Sequence, residues 1–77
     1  MTETMREIDI LGKVPDEMLV AAASGFPNAS TATENFQHVI LRLPDGYLAE
    51  VTFVRLSEKL GRSTHWSWTP AGAVLIE

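Results

Sequence analysis

The sequence predicts an α+β domain, with one helix packed on a three- to four-stranded antiparallel sheet in the order β-α-β-β-β. Three observations predict it. One stretch carries apolar residues at three- and four-residue spacing. A Pro-Asp-Gly loop interrupts a long alternating segment. A second alternating segment with two tryptophans then follows. Helix and strands that are segregated along the chain point to α+β rather than to alternating β-α units.

The elements follow in chain order. Ile8 and Ile10 alternate with Glu7 and Asp9, which predicts a first strand over 7–11, ended by Gly12. Pro15 suits the first position of a helix, where a missing N–H costs nothing. Asp16 and Glu17 complement the positive end of the helix dipole. Met18, Leu19, Ala22, Ala23 and Phe26 then share one face, and the alanines at 21–23 favour helix by propensity. Gly25 is expected as a left-handed cap, with Pro27 preventing continuation. The polar stretch 28–35 is too short to divide two domains and reads as a connection.

The strongest local signal lies in 36–56. Pro44, Asp45 and Gly46 fit a three-residue hairpin loop, with Gly46 taking the positive φ. That loop sets Leu43 against Tyr47. The register then pairs Leu41 with Ala49, Val39 with Val51 and Gln37 with Phe53, and this nearly apolar face is the expected core face. The opposite face sets Arg42 beside Leu48, Ile40 beside Glu50 and His38 beside Thr52. The polar segment 57–63 reads as a turn or short loop. Residues 64–69 form a strand with Trp66 and Trp68 on one side. A turn at 70–72 leads to a short apolar end at 73–76, either a last edge strand or a docked tail.

Composition narrows the function. Seventy-seven residues make one small domain, 1–77, which buries only about 60% of its unfolded surface. With no cysteine there is no disulfide and no thiolate metal site. Ten acidic against six basic residues give a net charge of −4 without a basic patch, so nucleic acid is not an expected partner. The longest apolar stretch falls far short of the roughly 20 residues of a membrane span. The polar N-terminus lacks the basic start and apolar run of a secretory signal, so a cytoplasmic location is expected and the Asn28, Ala29, Ser30 triplet reads as a chance glycosylation match.

Catalytic motifs are missing. No serine lies in a Gly-x-Ser-x-Gly elbow, and Gly61, Arg62 and Ser63 lack the glycine spacing and lysine of a phosphate loop. His38 and His65 fall on different strands, at an expected separation of about 10 Å across two strand spacings. The expected function is a non-enzymatic protein–protein interaction module, such as a small accessory, adaptor or phage-type inhibitor protein, with no cofactor and with homodimerisation as one outcome. The alternative is a small enzyme or ligand-binding protein using His38 and Glu50. Candidate partner-binding residues are Trp66, Trp68, Arg55, Arg62, Ile40 and Leu48. Tryptophan and arginine are the usual anchors of an interface, and Ile40 and Leu48 are apolar on the mixed face.

Overall fold

The computed structural model describes residues 10–76. Three strands, β1 (Phe36–Arg42), β2 (Leu48–Leu60) and β3 (Ser63–Ile76), form one antiparallel sheet in the order β1-β2-β3. The first hairpin follows from its turn chemistry. The Leu43 N–H donates to the Tyr47 carbonyl at 2.7 Å, and the Gly46 N–H donates to the Leu43 carbonyl at 2.9 Å. Gly46 has φ +96°, and the Asp45 carboxylate accepts from the Tyr47 N–H at 3.2 Å. The register pairs Leu41 with Ala49, Val39 with Val51 and Gln37 with Phe53, as the loop predicts.

One face of that register is the core. Ala49, Val51 and Phe53 of β2 and Ala73 of β3 are buried, together with Ile10, Val14 and Leu43. Val39 and Leu41 of β1 are only half-buried. The central strand is flanked on both sides, and the edge strand is not. Above this face lies α1 (Asp16–Ala23), which turns Met18, Leu19, Ala22 and Ala23 toward the core. Phe26, just past the helix, meets the Phe53 ring edge-on at 4.9 Å between centroids.

Several elements differ from the sequence-based expectation. The segment 10–12 is helical, so the predicted first strand is not formed over its described residues; Glu7 to Asp9 lie outside them. Ile10 and Val14 are both buried at four-residue spacing, and turn bonds join Lys13 to Ile10 and Val14 to Leu11. The helical period through Val14 outweighs the short alternation of Ile8 and Ile10. Pro15 caps the helix at φ −59° and ψ 144° instead of occupying its first turn. Gly25 is not left-handed, because the chain leaves the helix through tighter turns from Gly25 to Ala22 and from Phe26 to Ala23, which satisfy the last carbonyls.

The segment 57–63 is not a loop. β2 runs on to Leu60, and the chain reverses at Gly61 and Arg62 alone. Gly61 has φ +66° while Arg62 keeps a negative φ, as a two-residue type II′ hairpin requires. Residues 70–72 do not turn the chain either. They lie inside β3 as a bulge, where the register slips between Thr52 and Phe53 and Ala71 is the extra residue. β3 is an edge strand, so Pro70 is tolerated there without an N–H. The apolar end 73–76 is thus the continuation of β3 beside Ala49 and Val51.

Candidate functional site

The six candidate residues divide between the two sheet faces and the tip. Arg55, Trp66 and Trp68 stand on the core face, at the boundary where the helical layer ends. The Trp68 indole N–H donates to the Pro27 carbonyl at 2.8 Å, and its ring meets Phe26 at 5.8 Å. Arg55 donates from Nη1 to the Ala29 carbonyl at 3.2 Å and from Nη2 to Asn35 Oδ1 at 3.1 Å. Its backbone N–H also donates to the Asn35 carbonyl at 2.8 Å. Arg55 and Trp68 therefore fasten the connection 27–35 onto the sheet, and Ala29 within it is buried. Within that connection Asn28 Oδ1 accepts from both the N–H and the hydroxyl of Ser30.

Trp66 continues the same face outward. Its ring carries the Arg55 guanidinium at 4.4 Å from the centroid, a cation–π contact, and the residue is 38% exposed. Arg62 lies in the exposed distal turn. Exposure along this arm rises from Trp68 through Trp66 to the turn at Arg62.

Ile40 and Leu48 lie on the opposite face, which no described element covers. Ile40 is 59% exposed and Phe36 54%, and Leu56 and Leu60 of β2 also stand open. Val54 lies across from Phe36, and Leu48 lies between Arg42 and Ile76. His38 Nδ1 is 3.0 Å from Thr52 Oγ1, its direct cross-strand neighbour, while Glu50 sits diagonally across. His65 faces Glu58, six residues along β2 from Thr52. That is about 20 Å along the strand, so the two histidines are twice as far apart as expected. No three potential metal ligands come together among the described residues.

A third feature was not foreseen. Leu19, Val20 and Ala23 of α1 and Phe53, Trp68 and Pro70 of the sheet line an open groove of about 420 Å³, with Asp16 at its rim. The sequence signal for it was Val20, an apolar residue on the wrong side of the helix for the core. Likewise, the outward reach of Leu56 and Leu60 was hidden while 57–63 read as a loop.

No helix among the described residues is long and apolar enough to cross a membrane. No family model matches the chain, and the searches of curated proteins and of solved structures found no match.

Proposed function

We propose that this chain is a non-enzymatic protein–protein interaction module, an accessory, adaptor or inhibitor protein that holds another protein on its open sheet face. The observation that supports this is the apolar content of a face that no described element covers: Phe36, Ile40, Leu56 and Leu60 are each about half exposed. Several large apolar side chains exposed on one face are the usual mark of a contact site. Covering it contributes about 25 cal/mol per Å² of apolar surface removed from water. His38, Arg42, Glu50 and Glu58 interleave with the apolar residues on this face and suit the polar margin of such an interface. The reading of His38 and Glu50 as a small catalytic or ligand-binding pair has less support, because the nearest partner of the His38 ring is a threonine hydroxyl.

The test is a paired capture from the native host. The exposed double variant Ile40→Glu with Leu56→Glu keeps its fold by circular dichroism and loses the protein that the wild type retains. Trp66→Ala, on the other face, retains it. Retention of the same partner by the charged double variant would overturn the assignment to this face.

A further inference from the structure

The two edges of this sheet are built differently. β3 carries a bulge at Ala71 and a proline at position 70, two devices that blunt a strand edge against pairing. β1 carries neither. Its seven residues, Phe-Gln-His-Val-Ile-Leu-Arg, contain no Pro, Gly, Lys or acidic residue, and they pair with β2 without a register shift.

The hydrogen-bond parity of β1 is determined at both ends. Leu43 bonds to Tyr47 at the loop, and Arg55 bonds to Asn35 at the far end. Bonded pairs alternate in an antiparallel ladder, so odd-numbered residues of β1 direct their N–H and C=O groups to β2. Phe36, His38, Ile40 and Arg42 direct theirs outward. Among the described residues no hydrogen bond outside the sheet reaches those backbone groups.

The geometry points to a second copy of this chain, paired antiparallel along β1 across a two-fold axis at Val39. In that register His38 faces Ile40 of the second copy, Phe36 faces Arg42 of the second copy, and Val39 faces its own equivalent. All four outward residues then fall at bonded positions, where each opposed pair exchanges two hydrogen bonds. A two-fold axis at Val39 meets this parity condition, and a one-residue slip moves the pairing onto residues whose groups are already spent on β2. The Phe36 ring also receives an arginine as its cross-strand neighbour, a favourable pairing of ring face and cation. The result is one six-stranded sheet whose open faces run on from one copy to the other. This pairing rests on the reading of the chain as a binding protein, but uses the β1 edge rather than the open face.

The chain has no cysteine, which makes disulfide trapping clean. Directly opposed positions have Cβ atoms about 4.5–5.5 Å apart, close to bridging geometry. Val39→Cys therefore gives a covalent dimer on mild oxidation. Leu41→Cys stays largely reduced, because its own equivalent lies about 14 Å away along the strand. In sedimentation equilibrium at tens of micromolar, the wild type shows twice the 8.5 kDa of one chain. His38→Pro removes the outward N–H and the exposed His38–Thr52 side-chain contact but no N–H bonded to β2, so it keeps the fold and returns the mass to one chain. A single-chain mass for the wild type, equal trapping at 39 and 41, or unfolding by His38→Pro would each overturn the pairing. If the wild type is a monomer while the open-face double variant still loses its partner, only this inference falls and the interaction reading stands.

Discussion

The base of the sheet and its distal arm use the same alternating pattern and reach opposite ends of the burial scale. At the base β2 lies between β1 and β3, helix residues pack against the core, and Phe53 is 1% exposed. β1 begins at Phe36, opposite Val54, so among the described residues β2 has β3 as its single neighbour from Leu56 to Leu60. There Leu60 is 53% exposed. Trp66 and Trp68 make the contrast sharpest. They share a strand and a face two residues apart, yet Trp68 is held under Phe26 and Pro27 while Trp66 stands at the margin. Burial here is conferred by the covering layer and not by the type of residue in the strand. A two-stranded ribbon without that layer is marginal on its own. The arm therefore depends on its turn, its ladder and the Arg55 junction.

The largest expected effect is at the base. Phe53 is fully buried and touches Phe26 edge-on. Phe53→Ala removes the ring and leaves a cavity, which costs about 3–5 kcal/mol. A domain of this size has about 4–12 kcal/mol in total, so the substitution removes a large share of its stability. The midpoint of urea denaturation checks this. A shift worth less than 1 kcal/mol by this scale would mean that the ring is not the centre of the core.

The same contrast explains what was legible in the sequence. The base was readable because local chemistry and burial agree there: Pro44, Asp45 and Gly46 set the register, and the alternation of Val39, Leu41, Val51 and Phe53 confirms which face turns inward. The helical face of Met18, Leu19, Ala22, Ala23 and Phe26 was readable for the same reason. The arm was not. No described element covers either of its faces, and Ser57, Glu58 and Lys59 show no apolar alternation and resemble a loop. Without the turn at Gly61 the registers of Trp66 and Trp68 had no anchor, and their division between margin and core stayed open. Pro70 and Gly72 carry turn chemistry, but the edge position of β3 absorbs them as a bulge. The place of Ile40 and Leu48 on the mixed face followed from the hairpin register, whereas the groove beside Val20 needed three-dimensional placement of α1 beside β2 and β3.

Two glycines turn the comparison into a measurement. Gly46 closes the base hairpin at φ +96° and Gly61 closes the arm at φ +66°, and a Cβ at either would meet nothing within 4 Å. The penalty for a side chain is therefore conformational at both sites, and greatest for a β-branched one. Gly46→Val strains the turn on which the core register depends. It should lower global stability by about 1–3 kcal/mol, as other residues held in disfavoured backbone regions do. Gly61→Val carries a similar local strain, but the arm can open while the base stays folded. Its effect on the global denaturation midpoint should stay below about 0.5 kcal/mol, the range of substitutions outside the core. Hydrogen exchange should detect it instead, with faster exchange of the amides that pair 56–60 with 63–67 and unchanged exchange at Val51 and Phe53. Equal losses of global stability at the two glycines would show that arm and base unfold as one unit, and that the covering layer is not what separates them.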